Sequence, residues 1–222
     1  GEIVVVDDGS TDGSGDVARW WARRAPVTVV DGAGAGAVAA RTVGVAASSG
    51  EVLAFTDSDC VPAPGWLAAG LDAVDAGAGL VQGRTWPCRP AGLLERSIWV
   101  TEEDGLYATC NLFVRRTVFD DVGGFDTSAG DRLGFRAGSL AGLGFGEDTL
   151  LGWRIRRAGH RTVFAPDADV CHHTFPFDPR EHLRRAWQAV MLDEEISLLE
   201  NLISRVVGLK LTVFCDVSLP RT

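Results

Sequence analysis

Lysine is almost absent from this chain. Lys210 is the only one, while arginine is abundant. That skew, alongside high Ala and Gly, follows genome composition as readily as function. Cations as a whole are outnumbered, with 21 Lys and Arg against 30 Asp and Glu and a formal net charge of −9. Wrapping a phosphate backbone needs clustered Lys and Arg, so the balance argues against nucleic acid as a partner. It suits a site built from carboxylates and a divalent cation. The five cysteines, Cys60, Cys88, Cys110, Cys171 and Cys215, are odd in number and contain no CxxC pair. Neither a disulfide framework nor a structural zinc site is expected, and a reducing cytosol is the simplest home. No signal peptide is expected from the opening residues. The longest apolar stretch near the C-terminus, 206–215, is interrupted by Lys210. It falls short of the roughly 20 residues that cross a bilayer.

What is present is a chain of 222 residues, 46% hydrophobic, enough for one sizeable core. Residues 2–6 form a β-branched run that reads as a buried strand, and it ends in Asp7-Asp8-Gly9-Ser10. Val17, Trp20 and Trp21 recur at helical spacing, and 27–30 reads as the next strand. A Gly/Ala-rich segment, 31–36, leads into a small-residue helix carrying Arg41. Residues 51–56 are a further strand, stopped by Asp57-Ser58-Asp59, and Trp66, Leu67, Leu71 and Val74 mark a helix. Strand and helix alternate, which predicts an α/β domain with a mostly parallel, Rossmann-like sheet. Parallel strands present ligands at their carboxyl ends, so both acidic clusters are expected to face one crevice.

The second half is less regular. Strands are expected over 80–84 and 110–114, with a helix over 93–104 between them. A Gly-rich loop over 123–146 precedes a helix over 147–158. Short strands over 162–165 and 169–171 lead to His172-His173, and a long amphipathic helix runs from Pro179 towards Leu202. The domain boundaries expected are 1–178 for the core, divided near residue 84, and 179–222 for a helical extension. That extension can pack on the core, dimerise or touch a membrane surface, which would place the chain at the inner face of the membrane. A doubly wound domain seldom opens on a core strand. An upstream strand–helix unit of roughly 30 residues is therefore expected ahead of Gly1.

Each acidic motif has a bland reading beside a chemical one. Asp57 and Asp59, two residues apart past a buried strand, can share a hard cation such as Mg²⁺ or Mn²⁺, or can simply form a solvated turn. Asp7 and Asp8 can hydrogen-bond a ribose or base, or can cap a helix. Arg41 can meet a phosphate or lie in solvent. Glu147 and Asp148 suit the positive end of a helix dipole in any case. Of His172 and His173, one can be a metal ligand.

The order of these motifs is more specific than any one of them. Val5-Val6-Asp7-Asp8-Gly9-Ser10-Thr11-Asp12 is followed by Ala40-Arg41-Thr42-Val43-Gly44, then by Phe55-Thr56-Asp57-Ser58-Asp59 and Pro64-Gly65-Trp66-Leu67. Asn111, Arg115-Arg116, Val122-Gly123-Gly124-Phe125-Asp126 and Gly146-Glu147-Asp148 complete the series. From its start to about His173, this succession resembles the family 2 glycosyltransferases of the GT-A fold. The resemblance implies that Asp7 and Asp8 bind the base or ribose of the donor and that Arg41 lies against the nucleotide. It implies that Asp57 and Asp59 are the DxD element holding ribose and the metal–diphosphate, and that His172 completes the metal site. Asp148 matches the family's catalytic base, with Glu147 as runner-up.

The reaction implied is metal-dependent, inverting transfer of one sugar from a nucleotide-diphosphate sugar to the hydroxyl of a small-molecule, lipid-linked or glycan acceptor. The processive members' Gln-x-x-Arg-Trp element is not matched, because Leu183-Arg184-Arg185-Ala186-Trp187 lacks the Gln. A phosphohydrolase of the haloacid dehalogenase type is a rival on Asp57-Ser58-Asp59-Cys60-Val61, although Lys210 lies far from that motif. A catalytically inactive sugar-nucleotide-binding subunit is the other alternative.

Overall fold

The computed structural model describes residues 1–92, 95–126 and 146–176. The Gly-rich stretch 127–145 and the helix expected from Pro179 lie outside these residues.

The β-branched run at the start forms β1 (Ile3–Asp7), which pairs in parallel with β2 (Val27–Asp31) across α1 (Ser14–Ala22). The two make a ladder of their own. Next come α2 (Ala37–Ala46), β3 (Val52–Thr56), β4 (Cys60–Pro62), α3 (Trp66–Asp75), β5 (Leu80–Pro87) and β6 (Glu95–Arg96). β7 (Asn111–Arg115), α4 (Arg116–Asp121), α5 (Glu147–Arg157), β8 (Thr162–His172) and β9 (Phe175–Pro176) follow.

The five-stranded sheet has the order β3-β7-β5-β8-β4 and is mixed rather than mostly parallel. β7 is antiparallel to both β3 and β5, β5 is parallel to β8, and β4 is antiparallel to β8. Alternation of strand and helix does make β3 and β5 run the same way, because α3 is their crossover. Among the described residues, no crossover helix leads into β7, and β7 slots between them in the opposite sense. β3, β5 and β8 still share one direction, and their carboxyl ends share one edge of the sheet. That edge carries the site.

Side-chain alternation along the central strands divides the core in two. Leu80, Leu112 and Val114 pack with Val38, Phe119, Leu151 and Ile155 under α2, α4 and α5. Val81 and Phe113 pack with Val74 and Ala78 under α3 on the other face. All five of the sheet residues named are fully buried. α5 lies flat on Tyr107, where a Cβ at Gly152 would overlap the phenol ring, so glycine is what admits this close approach.

Three further expectations are corrected. No helix spans the described part of 93–104. Residues 95–96 are β6, and Thr85 bridges Val100. Ile98 and Val100 are buried around an exposed Trp99, a period of two that favours extended chain. The two short strands expected over 162–171 are one strand, β8, bulged where Gly83↔Ala165 is followed by Arg84↔Asp169. Asn111 holds the bulge, its Nδ2 donating to the carbonyls of Arg84 at 2.7 Å and Ala168 at 2.8 Å. Finally, Cys88 and Cys171 form a disulfide. The pair is 83 residues apart in sequence and meets because β5 and β8 are parallel neighbours with Trp86 opposite Cys171. The ground on which a reducing compartment was expected therefore falls away. Among the described residues, no helix is long and apolar enough to cross a membrane.

Candidate active site

The acidic pair ending β1 is held by main-chain donors. Asp7 Oδ1 accepts from Ser10 N at 2.9 Å, and Arg19 lies 3.4 Å from Oδ2. The Ser10 hydrogen bonds, with Arg19 adding, hold the Asp7 carboxyl below its ordinary range. Asp8 ties down the loop before α2: Oδ1 accepts from Gly34 N at 2.8 Å and Ala35 N at 3.3 Å, and Oδ2 from Gly36 N at 2.7 Å. These bonds fix the start of the helix that carries Arg41.

Arg41 then joins two elements that are far apart in sequence. Its Nη2 donates to Asp57 Oδ1 at 2.9 Å, just past β3, and its Nη1 to Glu147 Oε1 at 2.6 Å, at the start of α5. Glu147 is buried. Burial pushes its carboxyl above the ordinary range, against the pull of the Arg41 charge, and the nearby Asp57 charge pushes the same way. One guanidinium therefore serves two carboxylates in a partly dry setting. Asp148, the next residue, turns differently. Its Oδ1 accepts from Thr149 N at 2.7 Å and its Oδ2 from Thr109 N at 3.4 Å, in the first turn of α5.

Asp59 faces the end of β8. Its Oδ1 is 3.5 Å from His172 Nε2, and its carbonyl accepts from His173 N at 2.9 Å. His172 is buried and His173 is exposed. His172 Nδ1 lies 2.7 Å from the carbonyl of His173. A carbonyl can only accept, so Nδ1 carries a proton and Nε2 is the nitrogen turned to Asp59. Cys60 adds its sulfur, and ligand atoms of Asp59, Cys60 and His172 lie within 4.8 Å of one another. A carboxylate oxygen and an oriented imidazole nitrogen at that spacing fit a divalent cation.

The structure thus brings Asp57, Arg41 and Glu147 into contact, sets Asp148 beside them in the chain, and pairs Asp59 with His172. Asp7 stays with its own loop and the neighbouring Arg19, and Asp8 reaches across to the loop before α2. Sequence reasoning missed three things: Cys60 as a neighbour of His172, the Arg41 bridge, and Asn111 as the clamp on β8. Cys60 follows an acidic turn directly, and that adjacency was the available signal. The bridge and the clamp join residues distant in sequence.

The glycosyl transferase family 2 profile matches residues 2–126, more than half of the chain. The chain belongs to glycosyl transferase family 2. Glycosyltransferase AglE of Haloferax volcanii is 30% identical over 226 residues, covering 96% of this chain and 69% of AglE. Among solved structures, mannosyltransferase PcManGT from Pyrobaculum calidifontis, in complex with GDP-Man and Mn²⁺, superposes with a TM-score of 0.62 at 23% identity. It covers 89% of this chain and 54% of its own. GalNAc-T7 with UDP, GalNAc and Mn²⁺ gives a TM-score of 0.57 at 17% identity, over 80% of this chain and 38% of its own. The chain thus spans about two thirds of AglE and about half or less of the two solved structures. These superpositions identify the α/β fold as that of GT-A glycosyltransferases.

Membership of a glycosyltransferase family goes against the phosphohydrolase reading of residues 57–61. Asp7, Asp8, Arg41, Asp57 and Asp59 fall inside the matched family segment, whereas Glu147, Asp148 and His172 fall beyond it. The fold alone brings the second group to the first.

Proposed function

We propose that the chain transfers a single sugar, with inversion, from a nucleotide-diphosphate sugar to an acceptor hydroxyl. The observation that carries this reading is the meeting of Asp59 with His172 beside the Asp57–Arg41–Glu147 bridge, at the common carboxyl edge of β3 and β8. PcManGT and GalNAc-T7 were both solved with a nucleotide and Mn²⁺, which supports the same donor class and cofactor here. The acceptor is a small molecule, a lipid-linked sugar or a glycan.

Asp59 and His172 would hold the divalent cation, Mn²⁺ or Mg²⁺, with Asp57 next to them. When bound, the cation neutralises charge that grows on the departing diphosphate. Asp57 and Arg41 orient the nucleotide, and the loop held by Asp8 supports the start of α2. Asp148 accepts the proton of the attacking hydroxyl as its oxygen bonds to the anomeric carbon. The bond from that carbon to the diphosphate oxygen breaks in the same step, and the electron pair leaves with the diphosphate. Fixing donor and acceptor together removes the entropic cost of their encounter.

Calorimetry with GDP and UDP, with and without chelator, tests the metal role. Chelation and Asp59→Ala should each weaken binding by about 10–100-fold, the effect of disturbing a metal site. Equal affinity with and without metal would overturn the reading. Product analysis with GDP-Man and UDP-GlcNAc, each with and without Mn²⁺, then separates transfer from mere binding.

A further inference from the structure

We propose that Cys60 is a third protein ligand at the Asp59–His172 site, so that this chain holds a thiophilic divalent ion, Zn²⁺ or Co²⁺, more tightly than Mg²⁺. The inference rests on the metal reading of Asp59 and His172 and extends it to a sulfur donor.

The sheet register makes the case. Cys60 and His172 are direct partners in the antiparallel β4–β8 pair, so their side chains leave the same face of the ladder. Cys60 Sγ is 3.6 Å from Asp59 Oδ1, and His172 Nε2 is 3.5 Å from the same oxygen. One carboxylate oxygen is therefore flanked by a sulfur from one strand and a nitrogen from the next. The bond from His172 Nδ1 to the His173 carbonyl turns Nε2 into this space, as the outer partner of a metal-bound histidine does. The disulfide does not compete for Cys60. Cys171 precedes His172 on the same strand, so its side chain leaves the opposite face. Cys60 keeps its thiol.

Ligand chemistry decides the preference. Mg²⁺ takes oxygen donors and gains little from sulfur, whereas Zn²⁺ and Co²⁺ accept a mixed oxygen, nitrogen and sulfur set. On binding, the S–H bond breaks, a sulfur–metal bond forms and the proton passes to solvent. Three protein ligands leave an open position for a diphosphate oxygen, the arrangement of catalytic rather than structural sites. A residue beside the DxD element would then set which metal the enzyme carries.

The test is anaerobic Co²⁺ titration of the whole chain, followed by thiolate-to-Co²⁺ charge-transfer absorption in the near ultraviolet and by the visible bands. The charge-transfer band should appear in the wild type and vanish in Cys60→Ser, with Co²⁺ affinity falling about tenfold or more. A hundredfold excess of Mg²⁺ should leave the wild-type band in place. Visible bands without a charge-transfer band would overturn the sulfur ligand while leaving the Asp59–His172 reading intact. Wild-type Co²⁺ binding in both Asp59→Ala and His172→Ala would sink both readings. A second measurement needs no variant: iodoacetamide labelling of Cys60 with and without Zn²⁺, read by mass spectrometry. Zn²⁺ should protect the thiol and Mg²⁺ should not, and equal labelling under all conditions would overturn the proposal.

Discussion

Asp7-Asp8 and Asp57-Ser58-Asp59 look alike in sequence, each an acidic cluster following a β-branched or apolar strand, yet the fold uses them differently. At the end of β1 the carboxylates accept chiefly from backbone amides, those of Ser10, Gly34, Ala35 and Gly36. At the end of β3 they face the side chains of Arg41 and His172. An amide in a loop is a fixed partner, because releasing it unravels the loop. A guanidinium or imidazole can exchange its carboxylate for a phosphate or a cation while the backbone stays in place. On the function proposed above, the first cluster serves mainly as scaffold and the second as the site.

The largest effect that sharpens this contrast belongs to Asp148. Asp148→Asn keeps the shape and removes the base, and turnover with saturating donor should fall by roughly 10²–10⁴-fold with donor affinity nearly unchanged. Glu147→Gln should cost less, since Glu147 is buried and engaged with Arg41. An active Asp148→Asn enzyme would remove Asp148 from the mechanism.

Stability should separate the two clusters next. The Arg41 and Glu147 side chains are only 14% and 4% exposed, so Arg41→Ala leaves a buried carboxylate without its cation. The expected loss is about 3 kcal/mol, the lower end for breaking a buried pair. Asp8→Ala, which strands loop amides that water can partly reach, should cost about 1–2 kcal/mol. Urea denaturation of both variants checks the order. If Asp8→Ala proves the more damaging, the Arg41–Glu147 bridge contributes less to the fold than a buried pair does.

Much of this was legible in the sequence because it is local. β1, β2, β3, α1, α2 and α3 follow from apolar runs and helical spacing, and the positions of Asp57, Asp59 and Asp148 at strand and helix ends could be read from the same pattern. What was hidden depends on partners distant along the chain. Arg41 meets Glu147 across 106 residues, and Cys88 meets Cys171 across 83. The antiparallel insertion of β7 was hidden for a related reason. Its buried run, Leu112-Phe113-Val114, reads the same in either direction, and only the route of the preceding segment fixes its sense. β4 escaped notice because three residues carry no periodicity, although its pairing sets Cys60 opposite His172.

The smallest expected effect is in the pH dependence of stability, where Asp7 and Glu147 should move in opposite directions. The folded-state carboxyl of Asp7 lies below its ordinary value, so its contribution is complete above that value and is lost as pH falls through the lowered one. Glu147 is the reverse. Burial raises its carboxyl above the ordinary 4.5, so the folded chain holds that proton more tightly than the unfolded chain does. As pH rises from 4.5 through the raised value, the unfolded state releases its proton first and stability declines. Glu147→Gln carries no proton to lose and keeps an oxygen to accept from Arg41. Its melting temperature should therefore hold steady above pH 4.5, where that of the wild type drifts down, while Asp7→Asn should flatten the acid side instead. Thermal melts of all three proteins at closely spaced pH values decide the matter. Parallel wild-type and Glu147→Gln curves above pH 4.5 would mean that Arg41 already compensates the buried charge in full, and that the bridge carries none of the electrostatic tension argued for it.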